Sequence, residues 1–208
     1  KLMKIKFIHI SLTCIIFFLN PLLSISSENN EIKTTDKVLP MIIGDEKAPI
    51  KIIEYASFTC PHCATFHIEV LPKLKTNYIN NGKVLLEYRE VYFDGPGLWA
   101  GLLARCQGNK KYFAMINLIY KKQKDWARGN RDEIIEGLLS IGRQSGLTDD
   151  KSRQCMENAE LAKKLIENFK KNTKADGISS TPSFIINGEL MQNMSYEKLK
   201  EIIDKKLN

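Results

Sequence analysis

The stretch SFTCPHCATF, Ser57 to Phe66, sets two thiols three residues apart with a proline and an imidazole between them. Three kinds of chemistry fit that spacing. The sulfurs can form a reversible disulfide, they can be half of a tetrahedral zinc site, or they can be two buried thiols with no role. The flanking residues bear on the choice. Ile50 to Ala56 (IKIIEYA) is β-branched and aromatic, the pattern of a buried strand. Ala64, Phe66, Val70, Leu71 and Leu74 then recur at helical intervals. Cys60 therefore falls where a strand feeds a helix. A helix start presents unsatisfied N–H groups and roughly half a positive charge. A thiolate placed there is stabilised and a neutral thiol is not. Cys60 is thus the expected nucleophile and Cys63, more enclosed in the first turn, the resolving partner. Pro61 suits the first helical turn, and His62 adds a donor, or a positive charge when protonated, beside the sulfur. A thiol held well below its free pKa of ~8.5 favours the reduced state, so the disulfide becomes an oxidant. Such a couple needs no cofactor beyond the Cys60–Cys63 disulfide itself.

Other residues bear on the same chemistry. Glu54 lies among apolar neighbours in IKIIEYA, where a carboxylate is costly without a role or a partner. It is read as a buried acid that moves protons to and from Cys63; the alternative is an acid on an exposed strand edge. Thr181-Pro182 precedes a strand pattern. A cis proline there would open the Thr181 backbone to a bound peptide, but from spacing alone a plain trans loop proline is the expectation. Cys106 and Cys155 each sit inside a helical pattern with no second close pair, which argues against a zinc site and leaves metal binding as the minor alternative.

The compartment decides how the cysteines are read. Lys1, Lys4 and Lys6 form a basic start, and Phe7 to Leu19 is nearly all apolar. Asn20-Pro21 interrupts the run and Ser24-Ile25-Ser26 offers small residues at cleavage spacing. Residues 1–26 read as a cleaved secretory signal peptide, with an uncleaved anchor as the alternative; the run is short for a span. Cys14 leaves with that peptide. Of 31 basic residues the leader holds three, so 28 remain against 24 acidic, a net +4. No basic block is interleaved with aromatics, which argues against a nucleic-acid partner. An exported, periplasmic chain can hold disulfides, and its four remaining cysteines make an even set. Export favours a Cys106–Cys155 bridge between helices.

Around these residues the chain reads as strand, strand, helix, strand, then helices, then strand, strand, helix. Residues 27–37 are polar and loose, Val38 to Ile43 a short strand, and Lys83 to Phe93 (KVLLEYREVYF) a longer one. Pro72 predicts a kink in the helix that follows Cys63. From Gly97 to about Asn172 no strand signal appears. Leu98, Leu102, Leu103 and Cys106 mark one helix face; Tyr112, Phe113, Ile116, Ile119 and Tyr120 a second; Ile134, Ile135, Leu138 and Leu139 a third. Thr148 reads as the N-cap of a helix that buries Leu161, Leu165, Ile166 and Phe169. Asn187-Gly188 is a hairpin turn signal, and Ser195 caps a last helix.

Together EYASFTCPHC, LLARCQGNKKYF, KKQKDWA and GISSTPSFIINGE resemble the DsbA family of bacterial periplasmic thiol oxidases, the alphaproteobacterial branch in particular, over roughly residues 38–208. The resemblance implies an α/β protein: a thioredoxin fold with a helical domain inserted between its βαβ and ββα halves. On that pattern residues 38–95 and 173–208 form the thioredoxin domain and 96–172 the helical insertion. It implies Cys60 as nucleophile, Cys63 as buried partner, His62 as tuning residue and Glu54 as the buried acid. Thr181-Pro182 becomes the cis-proline loop, which with Pro61 binds substrate. Reduced exported proteins are the implied substrates and a DsbB-like, quinone-linked membrane protein the implied reoxidant. Thr181 stands where enterobacterial members carry Val and isomerases of the superfamily often carry Thr. Only about a dozen residues separate the expected cleavage site from the first strand, too few for an isomerase-type dimerisation segment. The expectation is therefore a monomeric oxidase, with an isomerase or reductase as the alternative.

Overall fold

The computed structural model describes residues 38–208; the expected signal peptide (1–26) and loose segment (27–37) lie outside the described residues. Five strands form one sheet in the order β1-β3-β2-β4-β5: β1 (Met41–Ile43), β2 (Ile50–Ala56), β3 (Val84–Glu90), β4 (Ser183–Ile186) and β5 (Glu189–Gln192). β2 runs parallel to β3 and antiparallel to β4. It is the central strand, which explains its near-continuous apolar sequence. The parallel β2–β3 pair needs a crossover helix, and the segment after Cys63 supplies it. Asn187 (φ 47) and Gly188 (φ 88) both lie at positive φ and close the β4–β5 hairpin, as the Asn-Gly pair predicts.

The crossover is one helical run with two widened stretches. α1 (Pro61–Thr65) passes into a π-helical turn at Phe66–Val70, then α2 (Leu71–Leu74), then a second π-helical turn at Lys75–Ile79. Pro72 has no N–H, and in a regular helix its ring would strike the carbonyl of Ile68. The chain absorbs this ahead of the proline: Leu71 N–H bonds to Phe66 O, five residues back. The expected kink is thus a π turn, the local remedy for an interrupted ladder.

Six helices separate β3 from β4: α3 (Gly95–Arg105), α4 (Asn109–Lys121), α5 (Gln123–Trp126), α6 (Arg131–Gln144), α7 (Asp149–Met156) and α8 (Ala159–Ala175). Thr148 caps α7 through Lys151 N, as its sequence predicts. That helix does not continue to Phe169, however. It stops at Met156, and Asn158 starts α8 by accepting from Leu161 N. In α8, Leu165 is buried while Leu161, Ile166 and Phe169 are only half-buried. The last helix, α9 (Tyr196–Leu207), is capped by Ser195.

Two apolar clusters hold these layers. One face of the sheet (Ile50, Ile52, Leu86, Phe184) packs on Phe66, Leu74, Leu199 and Ile203. The second cluster joins Phe58, Cys63 and Tyr88 to Tyr112, Ile116, Tyr120, Trp126 and Leu138 of the interposed helices. Past α8 the chain is fastened to the sheet at Asp176, whose carboxylate accepts from Tyr55 Oη (2.5 Å) and Arg89 Nη1 (2.8 Å). Cys106, at the end of α3, is disulfide-bonded to Cys155 of α7, with the Cα atoms 5.6 Å apart.

Candidate active site

β2 ends at Ala56, and four residues later Cys60 is the N-cap of α1, with extended backbone (φ −82°, ψ 118°). Its Sγ takes the place that a Ser or Asp oxygen usually fills: it accepts from Cys63 N–H at 3.3 Å. The loop is tied on several sides. Cys60 N–H bonds to Ser57 O at 3.1 Å. Thr59 Oγ1 donates to Asp94 Oδ2 at 2.8 Å, and Asp94 in turn caps α3 through Gly97 N–H. From the interposed helices, Gln123 Nε2 donates to Phe58 O (2.8 Å) and Cys60 O (2.9 Å).

Both cysteines are free thiols, and their surroundings differ. Cys60 is half-buried, whereas Cys63 is wholly buried. The Cys60 thiol is brought down to about 5. The largest cause is a hydrogen bond from the Cys63 side chain; a Thr181 hydrogen bond and the backbone N–H groups of Cys63 and His62 add to it, against the opposing effect of burial. Burial drives the Cys63 thiol far up, and the neighbouring Cys60 sulfur and Glu54 carboxylate push the same way. An ionised sulfur at the surface and a protonated one beneath it is an arrangement for thiol–disulfide exchange.

The remaining expected residues fall around this pair. The Thr181-Pro182 peptide is cis, against the trans loop that spacing alone suggested. Thr181 O lies 3.4 Å from Cys60 Sγ. His62 is exposed, and its amide is the part that acts on Cys60. Pro61 occupies the first turn. Glu54 is fully buried on the central strand, so the exposed-edge alternative falls. Two of the four described cysteines are consumed by Cys106–Cys155. Among the described residues no group of three His, Cys, Asp or Glu side chains could hold a metal ion.

Sequence reasoning missed Gln123 and His67. Gln123 is buried, and a buried amide in KKQKDWA was the one available signal, since its partners lie 63 and 65 residues away. Replacing it with Leu keeps the bulk but removes the donor from two loop carbonyls. Unfolding in urea should report a loss of about 1–3 kcal/mol; a change within about 0.5 kcal/mol, the size of an ordinary surface substitution, would mean the clamp is not holding the loop.

Comparison with known proteins agrees with this geometry. Residues 36–205 match the family model described as Thioredoxin. A Rickettsia bellii protein, provisionally named a protein-disulfide oxidoreductase, is 36% identical over 166 residues, covering 79% of this chain and 63% of the relative. The chain spans 61–65% of the length of the rickettsial relatives it matches. Disulfide bond formation protein D of Bacillus subtilis is 26% identical, over 80% of this chain and 76% of that protein. Among solved structures, alpha-DsbA1 of Wolbachia pipientis superposes with a TM-score of 0.73 at 30% identity, over 81% of this chain and 92% of that one.

Proposed function

The chain belongs to the DsbA-like branch of the thioredoxin family, and from that premise we propose that it is a dithiol oxidase that places disulfides in exported proteins. The observation that carries the reading is Cys60 Sγ at the N-cap of α1, accepting from Cys63 N–H above a wholly buried Cys63; that setting lowers its thiol to about 5. In the oxidised protein a substrate thiolate attacks Cys60 Sγ. The Cys60–Cys63 bond breaks, and Cys63 leaves and takes a proton. A second substrate thiolate then attacks the substrate sulfur joined to Cys60, and Cys60 leaves as a thiolate. Two electrons pass to the protein, and the substrate gains one disulfide. Glu54 is the buried acid that serves Cys63, Thr181 and cis Pro182 present backbone to the bound peptide, and Pro61 and His62 shape the sulfur's surroundings. The basic and apolar first 26 residues support export to the periplasm. We take the working form to be a monomer, with a DsbB-like membrane protein as its reoxidant.

The sign of the driving force follows from the thiol. The thiol is lowered to about 5, so the reduced protein is favoured above about 5, and the advantage is lost as pH falls through that value. At pH 7 it is about 2 kcal/mol after allowance for solvent screening of a half-buried sulfur, or ~40 mV in the couple. Absorbance of the thiolate should titrate with a midpoint near 5, and equilibration against glutathione should give a potential above the thioredoxin value of about −270 mV. A midpoint near 8.5 would remove the oxidase reading. Thr181, which precedes the cis proline, favours the second reading, an isomerase or reductase. A thioredoxin-like potential would select it.

A further inference from the structure

The site contains a second buried titratable pair member that the exchange reaction leaves unassigned. His67, 2% exposed, bonds through Nε2 to Glu54 Oε1 at 2.9 Å, and Glu54 is fully buried. Among the described residues this is Glu54's hydrogen-bonding partner; its Oε2 has none. The imidazole stacks on the Tyr120 ring (centroids 4.2 Å) and meets Tyr88 edge-on at 5.4 Å. Tyr120 Oη donates to Ser57 O (3.1 Å) and Tyr88 Oη donates to Tyr120 Oη (2.7 Å), so both protons are used and neither hydroxyl donates to Glu54. The same histidine lines a cleft of about 570 Å³ together with Leu71, Lys75, Lys110, Phe113 and Asn117. Cys60, His62, Thr181 and Pro182 do not line it.

We propose that His67 is a proton-relay residue: it connects Glu54, and through Glu54 the buried Cys63, to this cleft, so that the inner thiol exchanges its proton on a face that the substrate does not cover. This rests on the oxidase reading above. A neutral imidazole has one N–H and one acceptor nitrogen, so the proton between Nε2 and Oε1 can sit on either partner while Nδ1 carries or accepts another. When a substrate thiolate opens the disulfide, Cys63 leaves as a thiolate and takes the Glu54 proton, directly or across one water. Glu54 recovers a proton from His67 Nε2, and the imidazole takes one at Nδ1 from water in the cleft. Two protons leave the substrate thiols and one enters Cys63, so one is released overall while Cys60 stays ionised. The imidazole is faced by Tyr88 from β3 and Tyr120 from α4, and Cys63 of α1 lies within electrostatic range of Glu54; at the cleft the charged groups are Lys75 and Lys110.

The test uses single-turnover oxidation of a dithiol peptide by the oxidised protein. His67→Gln retains an amide donor toward Glu54 but relays no proton. It should slow the step at least about 10-fold, enlarge its solvent deuterium isotope effect, and leave the Cys60 thiolate titration where it was. His67→Ala should be slow and regain rate with millimolar imidazole, but not with pyrazole, a ring of the same shape and far weaker basicity. A wild-type rate and isotope effect in His67→Gln would overturn the relay. So would equal rescue by the two rings, which would assign His67 to packing. A wild-type protein that oxidises no dithiol would instead sink the oxidase reading, and the two failures are distinguishable.

Discussion

Cys60→Ser should abolish dithiol oxidation, to the level of the uncatalysed exchange. The loss is expected to be complete because the described residues hold no substitute: Cys63 is wholly buried and its thiol is driven far up, while Cys106 and Cys155 are bonded to each other. Cys63→Ser should behave differently. It leaves a nucleophile with no internal partner, so mixed disulfides between Cys60 and peptide or glutathione should accumulate and be visible by mass. The two variants at position 63 separate a second effect. The largest influence lowering the Cys60 thiol is a hydrogen bond from the Cys63 side chain. A serine hydroxyl can replace that donor and an alanine methyl cannot. Cys63→Ala should therefore raise the Cys60 midpoint above that of Cys63→Ser. Turnover in Cys60→Ser, or equal midpoints in the two position-63 variants, would contradict this account.

The second large effect is on stability. The Cys106–Cys155 bond closes a loop across a sequence separation of 49. In the chain-entropy model that constraint on the unfolded state is worth about 4 kcal/mol. The double variant Cys106→Ala/Cys155→Ala, compared with wild type while Cys60 and Cys63 are kept reduced in both, should lose about that much in urea. Its Tm should fall by roughly 10 °C. The loss should be independent of pH between 6 and 8, because neither disulfide sulfur titrates. Unchanged unfolding would show that contacts between α3 and α7 already restrict the unfolded chain as much as the bond does.

Local signals carried most of the frame. IKIIEYA was legible because a central strand is mostly buried and rich in β-branched and aromatic residues, and Asn187-Gly188 because its turn requires positive φ at both residues. Thr148 and Ser195 were legible as caps for the same local reason. What the sequence hid was long-range or degenerate. The break at Asn158 was invisible because an amphipathic pattern runs across it, and the cap chemistry of a mid-pattern Asn is easily read as a solvated polar residue. His67 meets Glu54 only because a helix folds back over the strand, and Gln123 meets the loop only once the helices after β3 have packed. The resemblance, rather than the spacing, carried the cis form of Thr181-Pro182, since an isolated X-Pro step is overwhelmingly trans.

The loop that holds Cys60 is also completed by residues made long after it. Its carbonyls wait for Gln123, and the Thr181 carbonyl and the β4 edge of the central strand come later still. The contacts that tune Cys60 are thus of two kinds: those from Cys63 and the first turn of α1 are local, while the Gln123 clamp and the Thr181 carbonyl belong to the finished fold. The sulfur's full setting is therefore assembled from three distant parts of the sequence, and a change in any one of them reaches the thiol.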